Sequence, residues 1–365
     1  MARKPPYPRR SKTLYGRGSS FQGLSFQDLL LQEPDVARNL ITDVAGVRVG
    51  HADDPKLGSG STVIVFDEPA VATADVRGGG PGTRESALLH PAATVERIDA
   101  ITLSGGSAFG LDAATGAQAW LREQGRGFQV RDARVPIVPG AVLFDLLNGG
   151  DKAWGRYPPY RELGYQAAAN ARTDFALGSV GAGLGATTVD LKGGTGSASA
   201  TTRDGITVGA LAAVNAVGSA VIGGGPHFWA GAYERKSEFG GKGWPSLVPE
   251  QALAYRGKGG PGEATTLVVV ATDATLTKAQ ATRLAMMAQD GFALALRPVH
   301  TPLDGDIVFA AATGARPLAD PVFALAELGA LAADVVARAI ARGVYEARPL
   351  PFPDALPSWR DRFGG

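Results

Sequence analysis

Short runs of apolar and β-branched residues alternate along this chain with a few long stretches of helical periodicity. Val47–His51, Ser61–Phe66, Val71–Val76 and Ala100–Leu103 predict strands. Ser107–Glu123 predicts a helix, because Phe109, Leu111, Ala114, Ala117, Trp120 and Leu121 recur near helical spacing. A second, Ala-rich helix is predicted over Arg161–Arg172, and strands return at Ser197–Thr202, Thr207–Val214 and Ala220–Ile222. Thr266–Thr272 is apolar without alternation, the pattern of a strand buried on both faces in mid-sheet. Leu276–Leu296 reads as a helix capped by Thr277, Ile307–Ala312 as a strand, and Pro321–Val344 as a long helix made amphipathic by Arg338 and Arg342. No internal repeat is visible. Strands clustered between helices imply stacked sheets covered by helices. The least patterned interior stretch, Gly223–Gly262, mixes Gly, Pro, Trp and charge, and predicts an exposed loop suited to cleavage.

Composition narrows the function classes. Hydrophobic residues make up 45% and charged residues 19% of the 365, which is a globular balance and not a disordered one. Glycine, at 50 residues, is about twice its usual share; with no collagen period it serves turns and close backbone contacts. A net charge of +1 gives no global field for nucleic acid or anionic lipid. No apolar run approaches the roughly 20 residues of a membrane span. Cysteine is absent, which excludes disulfides, thiolate metal sites and a Cys nucleophile, and agrees with a reducing, cytoplasmic setting. Residues 1–37 carry Arg3, Lys4, Arg9, Arg10 and Lys12 among prolines and lack the apolar core of a secretory signal. They read as a mobile extension ahead of a single catalytic domain over 38–365.

The chemistry concentrates around Thr265. A Gly-rich segment, Gly257-Lys258-Gly259-Gly260-Pro261-Gly262, runs through Glu263 and Ala264 into Thr265-Thr266-Leu267. If the Ala264–Thr265 bond cleaves itself, Thr265 becomes a chain terminus that owns both a hydroxyl and a base. A threonine hydroxyl is a poor nucleophile alone. A free α-amine titrates at about 7.7–8.0, near operating pH, whereas a lysine at about 10.4 stays protonated. The competing reading is a plain buried strand, which β-propensity explains equally well. Downstream, Asp304-Gly305-Asp306 places two carboxylates two apart where a loop enters a strand, facing one side. Such acids repel unless a cation, a shared proton or a reacting group lies between them. An N-terminal ammonium and a hydroxyl would fit, and so would a solvated Asp-Gly turn or a hard-cation site. Lys192, beside Gly193-Gly194, is suited to offset the carboxylates or to sit in solvent. Asn215 ends an apolar strand and is suited to donate to an oxyanion or to make a turn.

Other patterns are weak. His51, His90, His227 and His300 form no metal signature. Gly105-Gly106-Ser107-Ala108-Phe109 lacks the final glycine of a nucleophile elbow, and Arg77-Gly78-Gly79-Gly80-Pro81-Gly82-Thr83 lacks the Lys of a phosphate loop.

Taken together the landmarks resemble the DmpA-like self-processing aminopeptidase/amidase family, which includes β-peptidyl aminopeptidases and NylC-type nylon-oligomer hydrolases. They are Val76-Arg77-Gly78-Gly79, Leu103 to Leu111, Lys192-Gly193-Gly194, Val214-Asn215, Thr265-Thr266-Leu267 and Asp304-Gly305-Asp306, in order over roughly residues 40–345. The resemblance implies an αββα sandwich of the N-terminal nucleophile hydrolase type, cut between Ala264 and Thr265 into a large chain ending at 264 and a small chain 265–365. It makes Thr265 the nucleophile, Asn215 an oxyanion or positioning amide, Asp304 and Asp306 the carboxylates that orient Thr265, and Lys192 a supporting cation. Homotetramers or larger assemblies are implied, with a small amide or peptide as substrate and no metal or organic cofactor.

Within that family, Val142 stands where the amine-capturing branch has a Glu, and the nucleophile is Thr and not Ser. Both choices resemble the NylC-type branch and imply hydrolysis of short aliphatic amides such as 6-aminohexanoate oligomers. Phe144, a substrate-site candidate, replaces that branch's Tyr. Ala264 replaces the usual Asn or Gly and is small enough for an N-to-O acyl shift. An aminopeptidase, an ornithine-acetyltransferase-type acyl transfer and a non-catalytic binding protein are the alternative readings.

Overall fold

The computed structural model describes residues 38–260 and 263–364. The extension expected over 1–37 lies outside them. The strands are β1 Val47–Asp54, β2 Ser59–Val76, β3 Gly82–Arg84, β4 Arg97–Ser104, β5 Phe128–Val130, β6 Ala133–Val135, β7 Gly140–Val142, β8 Thr195–Thr201, β9 Thr207–Asn215, β10 Thr265–Ala274 and β11 Ile307–Arg316. The helices are α1 Ala113–Glu123, α2 Tyr160–Ala169, α3 Lys278–Ala288, α4 Asp290–Ala295, α5 Pro321–Tyr345 and α6 Trp359–Phe363.

Side-chain alternation along the strands divides the interior into three cores, and these define four layers. Leu267, Val269 and Ala271 of β10, with Ile307, Phe309 and Ala311 of β11, pack against Val47 and Val49 of β1, Ile64 and Phe66 of β2 and Ile101 of β4. That is the core between the two sheets. The opposite faces of β10 and β11, through Val268, Val270, Val308 and Ala310, pack on Leu284 of α3, Phe292 of α4 and Val336 and Ile340 of α5. On the far side, Val63, Val65 and Ala100 pack on Ala117 and Leu121 of α1 and Leu163 and Ala167 of α2. The architecture is therefore an αββα sandwich.

One strand joins the two sheets. Ser61–Phe66 and Val71–Val76, separate in the sequence reading, are one long strand, β2. Its first half pairs antiparallel with β1 and β4, and its second half with β11. The register with β4 slips between Val65 and Ala70, around exposed Asp67 and Glu68 and around Pro69, which has no N–H for a ladder. Sequence pattern stops at those polar residues, whereas the backbone bends and continues. Ala220–Ile222 forms only an isolated bridge, Val221 with Phe228. The helix expected at Leu276–Leu296 breaks into α3 and α4, and Thr277 does cap it, accepting from the Gln280 N–H.

β10 is fully buried and lies between β9, antiparallel, and β11, parallel. Among the described residues no helix is long and apolar enough to cross a membrane. Phe309, with no exposed surface, fills the space between the sheets. Phe309→Ala is expected to lower unfolding free energy by about 3–5 kcal/mol in urea titration, because both sheets are too rigid to close the cavity.

Candidate active site

Three segments meet at the start of β10 because of strand register. The parallel pairing sets Leu267 opposite Ile307, and the same register continues upstream to a bridge between Ala264 and Asp304. Ala264-Thr265-Thr266 therefore runs beside Asp304-Gly305-Asp306. On the other flank the antiparallel pairing sets Asn215 opposite Thr265. The loop expected to expose the scissile bond is irregular over much of Gly223–Gly260, with short helical turns at Trp229–Tyr233 and Glu250–Leu253. The bond itself is buried: Ala264 is 0% and Thr265 4% exposed. It belongs to a central strand, so its neighbours cover it.

The Ala264 carbonyl oxygen accepts from the Gly305 N–H at 2.9 Å and from the Thr265 hydroxyl at 2.6 Å. A backbone donor thus already points at the oxygen that would carry negative charge if that carbonyl were attacked. Gly305 has to be glycine for this contact. A Cβ there would stand 2.6 Å from Thr265 Oγ1.

The two carboxylates do not touch Thr265 through hydrogen bonds; Asp306 fixes the Thr266 backbone beside it, and Asp304 fixes that of Val217 and Thr301. Asp306 Oδ1 accepts from the Thr266 N–H at 2.8 Å, and its Oδ2 contacts the His300 N–H at 3.1 Å and Nδ1 at 3.0 Å. Asp304 accepts from the Val217 N–H at 3.2 Å and from the N–H and hydroxyl of Thr301 at 3.0 and 2.8 Å. Burial, and then the neighbouring Asp306 charge, raise the Asp304 carboxyl above the usual range, against these donors. The segment Arg77 to Gly80 holds this turn from outside: the Arg77 and Gly78 N–H groups donate to the Asp306 carbonyl, and the Gly80 N–H to that of Asp304. A side chain at Gly78 would fall 2.3 Å from the Asp306 nitrogen.

Asn215 is held at both ends of its amide. Its Oδ1 accepts from the Thr187 N–H at 3.0 Å and from Lys258 Nζ at 2.8 Å. Its Nδ2 donates to the carbonyls of Phe144 at 3.0 Å and Glu263 at 3.1 Å. Its donors therefore serve Phe144 and the residue before Ala264, not Ala264 itself. Phe144, Lys192, Lys258, Glu263 and Leu356 are among the residues lining a cavity of about 450 Å³. Lys192 donates to the carbonyls of Gly183, Ala186 and Gly193 at 3.1, 2.7 and 2.7 Å. Burial lowers its ammonium to about 7, partly restored by Asp145 and lowered further by Lys258. Three carbonyl acceptors occupy its three N–H bonds, so it sits in the cavity wall and ties down the Gly183–Gly193 turn. Asp145, buried and raised by desolvation, accepts from the Ser59 hydroxyl at 2.6 Å and the Gly106 N–H at 2.7 Å.

The structure thus brings Thr265, Ala264, Asn215, Asp304 and Asp306 into one cluster, with Phe144 and Lys192 in the adjoining cavity. Sequence reasoning missed Lys258, His300, Thr301, Gly305 and Asp145 as parts of the site. Lys258 had a local signal: it is the one cation in the glycine run before the nucleophile candidate. The others are identified only by contacts across the fold. Among the described residues no cluster of three or more His, Cys, Asp or Glu could hold a metal ion.

A family model described as Peptidase family S58 matches residues 39–355. The chain is 44% identical, over 90% of its length and 98% of the other's, to a protein of Mycobacterium tuberculosis (strain ATCC 25618 / H37Rv) described as an uncharacterized aminopeptidase. It is 27% identical to a 6-aminohexanoate-oligomer endohydrolase of Kocuria sp. (strain KY2), with 74% of each chain covered. Among solved structures, a Burkholderia sp. beta-aminopeptidase superposes with a TM-score of 0.63 at 24% identity, covering 88% of this chain and 90% of that one. The L-aminopeptidase D-Ala-esterase/amidase of Ochrobactrum anthropi, described as a new variant among the Ntn hydrolase fold, gives 0.63 at 20% identity, covering 89% and 94%.

Gly305→Ala is expected to leave the circular dichroism spectrum unchanged. It should slow any scission before Thr265 about a hundredfold, since a nucleophile displaced by about 1 Å loses that much; intact mass against time measures it.

Proposed function

This chain belongs to peptidase family S58, and we propose that it acts as an N-terminal threonine hydrolase of amide bonds, activated by cutting itself before Thr265. The observation that carries the reading is the buried Ala264 carbonyl, held by the Gly305 N–H with the Thr265 hydroxyl 2.6 Å from its oxygen. In the first step Thr265 Oγ bonds to the Ala264 carbonyl carbon and the Ala264–Thr265 C–N bond breaks. The nitrogen takes up the hydroxyl proton and becomes a free α-amine, leaving an ester. Water then splits the ester into an Ala264 carboxylate and a free Thr265 terminus.

In turnover the same hydroxyl attacks a substrate amide carbonyl, and the α-amine accepts its proton. The leaving amine departs protonated, and water releases the acyl group. Asn215 supplies a donor to the oxyanion once Glu263 no longer occupies it. Asp304 and Asp306 hold the two strand entrances, and Lys192 holds the cavity wall. Short aliphatic amides and peptides fit a cavity of about 450 Å³.

A second reading, an aminopeptidase that requires a free substrate amine, is favoured by the 44% identical relatives described as aminopeptidases. Paired free and acetylated amides separate the two. Equal turnover supports the amidase, and loss on acetylation supports the aminopeptidase.

Freshly purified protein is expected to show fragments meeting between Ala264 and Thr265 by intact mass and N-terminal sequencing. Thr265→Ala should stay whole and lose at least about a thousandfold in activity, as expected when a nucleophile is removed. An active wild-type chain that remains unbroken would falsify the proposal.

A further inference from the structure

We propose that Lys258 is a positioning residue of this site, fixing the Asn215 amide so that its NH2 group faces the acyl side of the bond to be cut. This rests on the Thr265 reading above. Lys258 Nζ donates to Asn215 Oδ1 at 2.8 Å, to the Thr187 carbonyl at 2.6 Å and to the Thr187 hydroxyl at 2.9 Å. The Thr187 N–H supplies a second donor to Asn215 Oδ1 at 3.0 Å. With two donors on that oxygen, the amide cannot turn over without setting N–H against N–H. Its NH2 group must face the Phe144 and Glu263 carbonyls. A cationic donor on Oδ1 also draws electron density from the amide nitrogen and strengthens its N–H groups as donors.

The placement of Lys258 survives a cut at Ala264. Its own N–H donates to the Val217 carbonyl at 3.1 Å, next to the end of β9. Just upstream, Arg256 lies 3.6 Å from Asp190, which also accepts from Ser219 at 3.0 Å. The chain is therefore pinned on the upstream side of Gly259 and Gly260, so the freed tail can leave while Lys258 stays against Asn215. The donor that Glu263 occupies then becomes available to a substrate carbonyl.

The charges around Lys258 are Asp304, Glu263 and Asp145, each favouring its ammonium, and Lys192 in the same cavity opposing it. Burial outweighs them and lowers it to about 7. Raising the pH through that value removes one of the three N–H donors, so the rate should fall on the alkaline side. Arginine would keep its charge.

The test makes the full chain by cell-free synthesis and follows scission by intact mass and turnover between about pH 6 and about pH 9, for wild type, Lys258→Arg and Lys258→Met. Lys258→Met is expected to slow scission and to lower kcat about tenfold or more, with KM within about twofold, because the loss lies in transition-state stabilisation. Lys258→Arg should recover most of the rate and lose the wild-type decline above about pH 7. If Lys258→Met behaves as wild type, or Lys258→Arg keeps the wild-type alkaline decline, the proposal is overturned. Should the Met variant not fold, the Arg profile decides alone. A wild-type chain that stays whole defeats the Thr265 reading itself and this proposal with it, a result distinct from normal scission in the Met variant.

Discussion

The parallel register of β10 with β11 is the constraint on which the rest of this site depends. A parallel pair starts at the same end of a sheet, so the residues entering both strands become neighbours whatever their separation in sequence. Leu267 opposite Ile307 brings Ala264 beside Asp304 and sets the Gly305 N–H on the Ala264 carbonyl. A slip of one residue would reverse the facing of every side chain on β11 and place Phe309 against the helices. Packing between the sheets therefore fixes the geometry of the site. Phe309 and Leu267 hold the register, and the register holds the carbonyl and its donor.

Charge is handled by saturation. The chain's net charge of +1 hides a group of ionisable residues around one cavity: Lys192, Asp145 and Asp304, all buried, and Lys258, half-buried. Each would be costly alone in a medium of low dielectric. Lys192 and Lys258 each meet three acceptors, Asp145 meets a hydroxyl and a backbone N–H, and Asp304 meets two N–H groups and a hydroxyl. Saturated ions of this kind stiffen turns that sequence alone describes as flexible. The glycines of the Val76–Gly79 and Lys192–Gly194 landmarks are where backbone passes close to backbone.

Several parts of this arrangement were legible beforehand. Thr265 was marked by a glycine run entering an unbroken apolar strand, and that strand is central, as a run without alternation requires. Thr277 was marked as a cap by the polar residue before a helical period, and it caps. Asp304 and Asp306 were marked by their spacing, but their partners were not: one holds Thr266 and His300, the other Val217 and Thr301. β2 was split in two by Asp67-Glu68-Pro69, because hydrophobic pattern reports burial, and a bend that carries one strand between two sheets exposes its polar residues without ending it.

By itself, then, the sequence determined the elements and their faces: which strands are buried twice, where the helices cap, and which residues carry hydroxyl, amide and carboxylate chemistry. Those are local quantities, set by spacing along the chain and by side-chain type. The tertiary structure alone decided that the Ala264–Thr265 bond is buried, that Gly305 rather than Asn215 holds its carbonyl, and that Lys258 rather than Lys192 meets Asn215. Such contacts depend on strand register and on turns separated by tens of residues. Local pattern marks Lys258 as the cation of the glycine run, but which of two glycine-flanked lysines reaches a distant amide is set by the fold.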